Sequence, residues 1–226
     1  MSLIVNKFEY KRLKRVEVNG KRRYDWGSGK PVPSVTTILD STKDKTHLIE
    51  WRKRVGEAKA TEITVTAANR GTRMHKYLEM YIESGEWPVP GTNPYAQHAH
   101  KMATVIKVHA MDDVDEVWGS EVPLYVPSIY AGTTDVVGVY KGQPCIMDFK
   151  QTNKPKKKEW VEDYYLQMTA YALAHNEVHG TDIREGHVFM CSQDLEYQQF
   201  DLWPDEFDYW RNRWWDRVEE YYVKYG

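Results

Sequence analysis

The chain has 226 residues, of which 41% are hydrophobic and 28% charged, enough for one folded domain with its own core. No apolar run is long enough for a membrane span or a signal peptide, so we expect neither. Only two cysteines, Cys145 and Cys191, are present, which argues against a disulfide framework and indicates a reducing compartment. The formal net charge of −2 gives no sign of a polyanionic partner.

The first 30 residues depart from this average, with nine lysines and arginines against three acids. Segment 11–26 carries an Asn19-Gly20 dipeptide, which predicts a β-hairpin turn. A basic ribbon of this kind suits contacts to phosphate groups, although lysines also protect the exposed edge of a sheet. The basic side chains of this hairpin are Arg12, Lys14, Arg15, Lys21, Arg22 and Arg23.

Helical patterns follow near 35–41, 46–59, 61–69, 72–84 and 94–110. In the helix near 72–84 we take Thr72 as the N-cap, and His75 and Glu79, four residues apart, share one flank of the apolar stripe. Histidine in such a place is either a metal ligand or a satisfied core or surface residue.

Strand patterns near 115–125, 129–140 and 144–150 come next, and residues 141–144 read as a hairpin turn between the last two. In an antiparallel pair, Asp135 and Asp148 then meet at one end of the ladder, and Lys150 shares a face with Asp148. Two carboxylates beside one ammonium suit a divalent cation and an activated water. The alternative is scattered charge on a solvated hairpin.

The remaining pattern predicts a helix near 158–177, strands near 185–191 and 195–202, and a closing helix near 205–223. Gln167 and Tyr171 stand four residues apart on one face of the first of these helices. Lysines at 154 and 156–158 lie in the loop after the strand that carries Asp148. They either contact a phosphate or form a solvated edge.

The motif order R-G-x-x-x-H, E, G-x-x-D, D-x-K and Q-x-x-x-Y, spread over roughly residues 33–200, resembles the PD-(D/E)xK nuclease superfamily. Within it, the chain is similar to the RecB-like exonuclease branch, which includes phage exonucleases and the mitochondrial genome maintenance exonuclease. The resemblance implies an α/β fold with a restriction-endonuclease-like core, in the order α-β-β-β-α-β, whose mixed central sheet is flanked by helices. We expect a single domain over 1–226, with an N-terminal basic hairpin arm (1–30), helical insertions and a C-terminal helix (203–226).

The resemblance also implies roles for individual residues. His75, Asp135 and Asp148 would ligate the metal together with the backbone carbonyl of Phe149, and Lys150 would be the catalytic lysine. Asp135 and Asp148 count as catalytic residues as well as ligands.

Glu121 matches the family's acidic residue on the first core strand, where it would assist the metal or its waters. Gln167 and Tyr171 match the motif that shapes the site and holds DNA, and segment 32–39 resembles a helix start that touches the DNA backbone. The expected substrate-binding residues are Ser34, Thr36, Arg70, Lys154, Lys156, Lys157, Gln167 and Tyr171.

These assignments imply a DNA exonuclease that uses Mg²⁺ or Mn²⁺, and a histidine ligand favours Mn²⁺. Two cysteines cannot hold the four-cysteine iron–sulfur cluster of some RecB-like nucleases, so we expect none. The expected partners are DNA ends and a recombination or annealing protein, in the cytoplasm of a phage-infected or bacterial cell. An endonuclease on the same core and a non-catalytic DNA-binding protein remain alternatives; no H-E-x-x-H motif supports a zinc hydrolase.

Overall fold

The structure, a computed structural model, describes residues 2–226 and contains two β-sheets and six α-helices. Within these residues, no helix combines the length and the apolarity that crossing a bilayer requires. The strands are β1 Lys14–Val18, β2 Lys21–Asp25, β3 Val32–Pro33, β4 Val114–Val126, β5 Tyr130–Tyr140, β6 Gln143–Thr152, β7 Glu185–Ser192 and β8 Tyr197–Leu202. The helices are α1 Val35–Thr42, α2 Thr46–Val55, α3 Glu57–Ser84, α4 Pro94–Ala110, α5 Glu162–His179 and α6 Phe207–Tyr225.

The predicted basic hairpin is confirmed as the antiparallel pair β1–β2 of a three-stranded sheet in the order β1-β2-β3. Asn19 and Gly20 turn the chain with φ of 54° and 71°, the positive values that a two-residue hairpin of this type requires. Tyr24 and Val32 are buried against Ala131, the second residue of β5. The hairpin is therefore anchored beside the strand that carries Asp135.

The larger sheet has the order β4-β5-β6-β7-β8. Its first three strands and its last pair run antiparallel, whereas β6 and β7 are parallel and are connected through α5. The β5–β6 turn at Lys141-Gly142 has φ of 49° and 80°, as the predicted hairpin requires. This mixed sheet, with helix α5 between β6 and β7, confirms the predicted α/β fold class.

Each face of the five-stranded sheet is covered by helices. Buried side chains of α1, α5 and α6, such as Ile38, Leu166 and Trp214, form the core on one face. Met74 of α3 and Met102 of α4 belong to the core on the other face. The strands that carry the candidate residues are thus fixed from both sides by close packing.

Helix α3 corrects the prediction of separate helices over 61–69 and 72–84, and α2 ends at Val55 rather than near residue 59. Thr72 is not an N-cap, because its hydroxyl donates to the Ala68 carbonyl at 3.1 Å inside a continuous helix. Gly71 does not break the helix. An internal glycine costs only about 1 kcal/mol, and this one packs closely against Gln151.

Candidate metal centre

The candidate residues converge at one end of the β4–β5–β6 ladder. Val136 pairs with Met147, so Asp135 and Asp148 lie at the same end of the two strands, as predicted. Helix α3 crosses this end, and helix α5 covers the opposite face of the sheet. The contributing residues are His75 from α3, Glu121 from β4, Asp135 from β5, Asp148 and Lys150 from β6, and Gln167 from α5.

Three of these side chains form a compact cluster of potential metal ligands. One ligand atom each from His75, Glu121 and Asp135 lie within 4.8 Å of one another. His75 Nδ1 is 3.4 Å from Asp135 Oδ1, and the Phe149 N–H donates to Asp135 Oδ2 at 2.6 Å. Burial opposes charge on His75, but the Asp135 carboxylate outweighs it and raises the pKa of the imidazole.

Glu121 reaches this cluster through an unusual backbone conformation. Its neighbours pair as Ser120 with Val136 and Val122 with Thr134, which puts Glu121 opposite Asp135. Its φ is 51°, a left-handed value that costs a non-glycine residue about 1–3 kcal/mol. Burial, followed by the nearby negative charges, raises the pKa of Glu121 to about 7. A bound cation would relieve that repulsion.

Asp148 and Lys150 form an ion pair beside the three-residue cluster. Asp148 is 3% exposed; its Oδ2 contacts the Lys150 ammonium, and its Oδ1 accepts from Gln167 Nε2 at 3.2 Å. Burial raises the pKa of Asp148 to about 6 against the opposing effect of Lys150. Burial disfavours the Lys150 ammonium, but the carboxylates of Asp148 and Asp135 together raise its pKa. Lys150 is therefore a cation at neutral pH.

Tyr171 lies behind the carboxylates rather than on the surface. It is 2% exposed, and a Cβ atom added to Gly132 would lie 2.8 Å from its Cε1 atom. The glycine of the G-x-x-D motif therefore makes room for the tyrosine of the Q-x-x-x-Y motif. Gln167 and Tyr171 both support the strands that carry Asp135 and Asp148.

The other predicted substrate-binding residues lie at different depths. Ser34 is 2% exposed and caps α1, because its Oγ accepts the Thr37 N–H at 2.9 Å, whereas Thr36 is exposed. Lys154 and Lys157 are exposed in the loop after β6.

Lys156 is half-buried in the same loop, and its backbone N–H donates to Gln198 Oε1 at 2.7 Å. Arg70 is 8% exposed and donates to the side-chain carbonyls of Gln151, Asn153 and Gln193. It thereby connects α3 to the end of β6.

Tyr164 lies close to the candidate site, although the sequence analysis did not single it out. Its ring centroid is 5.6 Å from Lys150 Nζ, so an aromatic face lies near the catalytic lysine candidate. Tyr164 is three residues before Gln167 and shares its helical face, which is the signal that predicts it. An open cleft of about 720 Å³ lies before the cluster, lined by residues that include His75, Glu79, Glu121 and Lys150.

The chain is similar in sequence to proteins that are named as exonucleases. No protein-family model matches it. It is 27% identical over 215 residues to mitochondrial genome maintenance exonuclease 1 of Xenopus tropicalis, which covers 85% of this chain and 58% of that protein. It is 28% identical over 207 residues to the Homo sapiens protein of the same name, covering 85% and 59%. The chain thus spans less than two thirds of the length of these curated relatives.

A solved structure also resembles the fold. A candidate exonuclease of Eubacterium rectale aligns with a TM-score of 0.52 at 12% identity over 70% of this chain and 65% of that one. With the motifs in order on this sheet, these similarities show that the chain resembles the PD-(D/E)xK nuclease superfamily.

Proposed function

We propose that the chain is a divalent-metal-dependent DNA exonuclease. The observation that carries the proposal is the cluster of His75, Glu121 and Asp135 beside the buried Asp148–Lys150 pair. The curated relatives carry the word exonuclease in their names, which supports the same reaction for this chain. We take residues 1–226 as one nuclease domain whose substrate is DNA.

The donor set of the cluster fits a divalent cation. One imidazole nitrogen and the oxygens of two carboxylates are ligands that Mn²⁺ accepts readily and Mg²⁺ accepts with a weaker preference for the nitrogen. Asp148 and the Phe149 carbonyl are the other ligands that we propose, and the Phe149 N–H contacts Asp135 of this set. When bound, such a cation supplies Lewis acidity, which activates a water and neutralises charge on phosphoryl oxygens.

Individual groups of this chain have separate roles in the proposed reaction. Lys150, held as an ammonium by Asp148, donates hydrogen bonds and is not a base, so its role is to orient the attacking water or stabilise a phosphoryl oxygen. Gln167 fixes the other oxygen of Asp148 and thereby the position of the pair. The Phe149 N–H orients Asp135 toward His75 in the same way.

The test is digestion of end-labelled linear DNA, single- and double-stranded, and of circular DNA, with Mg²⁺, with Mn²⁺ and with EDTA. Short products from linear but not circular DNA, and only with metal, are expected. Cutting of circles would select the endonuclease alternative, and binding without cutting would select the non-catalytic one.

Two variants test the assignment of the site. Asp148→Asn and Lys150→Ala should abolish cleavage and leave the fold and DNA binding largely intact, because both act mainly in the transition state. Lys141→Ala is the matched control, since this exposed turn lysine pairs with Asp113 away from the cluster. Near wild-type activity in either site variant would disprove the assignment.

The cellular setting enters the proposal as predicted from the sequence: the cytoplasm of a phage-infected or bacterial cell, with a recombination or annealing protein as partner. Affinity purification of the chain from its own host tests both. The proteins that co-purify test the partner, and the cell fraction that contains the chain tests the compartment.

A further inference from the structure

A second pocket lies beside the cleft of the candidate metal centre. Its volume is about 470 Å³, and Arg73 of α3 lines both it and the cleft. Side chains of α3, of the N-terminal part of α4 and of the β7–β8 turn form its walls, among them Arg70, Tyr95, His98 and Gln193. None of the residues that line it is acidic.

The charge of Arg70 in this pocket lacks a counter-charge. The side chain is 8% exposed, and its three hydrogen-bond acceptors are neutral amide oxygens. Within residues 2–226, no carboxylate lies within ion-pair distance of it. Burial lowers the pKa of Arg70, yet a guanidinium stays protonated in proteins. Because buried charges are almost always paired, an anion bound at this wall of the pocket would supply the missing counter-charge.

Other groups in the pocket suit the same ligand. Arg73 is exposed and makes no ion pair with any residue of the described chain. His98 Nε2 is shielded from solvent and has no hydrogen-bond partner among the same residues. The Tyr95 ring is 65% exposed at the rim, where a base can stack on it.

We propose that this pocket is a phosphoryl-binding subsite for the nucleic-acid strand, next to the position of the scissile phosphate. Arg70 and His75 are five residues apart on one helix, a rise of about 7.5 Å. Arg73, between them, reaches both positions. The identity of the strand rests on the proposed function; the affinity for a phosphoryl group does not.

The experiment measures binding without catalysis. A fluorescent single-stranded oligothymidylate is titrated in EDTA at several salt concentrations against wild type, Arg73→Gln and His98→Gln. Arg211→Gln is the control, because this arginine lies on α6 at the opposite face of the sheet. We expect weaker binding by both pocket variants, a log–log salt slope smaller by about 0.7 for Arg73→Gln, and no change in the control.

Inorganic phosphate is the second probe. It should compete with the oligonucleotide on wild type and compete less well on Arg73→Gln. Oligonucleotides with hydroxyl, 5′-phosphate and 3′-phosphate ends separate an internal phosphodiester from a terminal phosphate as the bound group. Arg70→Gln is included only if circular dichroism shows a native fold.

The outcome is separable from that of the proposed function. If neither DNA substrate is cut but the pocket variants lose phosphate and oligonucleotide binding, the subsite stands and the nuclease assignment fails. If DNA is cut but both variants bind like wild type and the control, the subsite is disproved.

Discussion

Salt dependence is the most direct test of the basic hairpin formed by β1, β2 and the residues just before them. Arg12, Lys14, Arg15 and Arg22 are exposed, and none has a carboxylate within 4.0 Å in residues 2–226. If all four contact phosphates, replacing them with glutamine removes four phosphate contacts and the counterions that those contacts release. Binding to DNA of any sequence should then weaken, while the metal centre stays intact.

The size of the effect follows from the number of contacts. Each lost contact lowers the log–log salt slope by about 0.7 for single strands and about 0.9 for duplex, so four lower it by about 2.8 or 3.6. Raising the salt from 50 to 200 mM weakens DNA binding by wild type and variant alike. With a slope lower by about 2.8, the factor by which the variant weakens is roughly 50 times smaller than the factor for wild type.

The assay is equilibrium binding by anisotropy in an Asp148→Asn background, so that cleavage does not interfere. Lys21→Gln with Arg23→Gln is the matched control in the same hairpin. Lys21 Nζ lies 3.5 Å from the Tyr225 ring centroid, and Arg23 Nη1 donates to the Pro31 carbonyl at 3.1 Å. Both are already engaged, so we expect a slope change well below the value of about 1.4 that two lost contacts to a single strand would give. An unchanged slope in the fourfold variant would refute the reasoning and make the hairpin a solvated edge.

Three further outcomes are expected. His75→Ala should weaken Mn²⁺ binding in calorimetry by at least about tenfold, and equal affinities would make His75 a core histidine. Gly132→Ala places a methyl group 2.8 Å from a Tyr171 ring carbon and should cost about 1–3 kcal/mol in urea unfolding, whereas Gly91→Ala, with its nearest neighbour at 3.8 Å, should cost little; equal costs would contradict the close approach. Burial lowers the pKa of His175 to about 3, against 6.5 in the unfolded chain, so only the unfolded state takes up this proton between those values. Stability should therefore be lost below pH 6.5 by at most about 1.4 kcal/mol per pH unit, and a pH dependence unchanged in His175→Gln would exclude this cause.

Much of the fold follows from local signals in the sequence. Asn19-Gly20 and Lys141-Gly142 predict turns because both positions need positive φ, and the second turn sets the register that brings Asp135 to Asp148. The motif order then predicts the elements on either side. These features depend on neighbours in the chain, so the sequence alone carries them.

The parts that were not predicted depend on distant residues. Gly71 looks like a helix boundary until its packing against Gln151 is known. Glu121 was expected near the metal, but the register shifts of β4 before Ser120 and the positive φ at Glu121 are indicated by no residue pattern. The pocket around Arg70 combines three separate elements, so its members have no common spacing in the sequence.

Helix α3 is held firmly along only one half of its length. Between residues 57 and 69 only Ala60 is buried, and α2 before it has no buried residue, whereas Met74, Leu78 and Ile82 are completely buried. A helical segment of about 13 residues with so little packing is marginal in water. Amide hydrogens before Ala68 should therefore exchange with deuterium through local fraying. Those near Met74 should exchange only through global unfolding. Any ligand that rests on the outer half will be detectable as slower exchange there, with no change at the buried end.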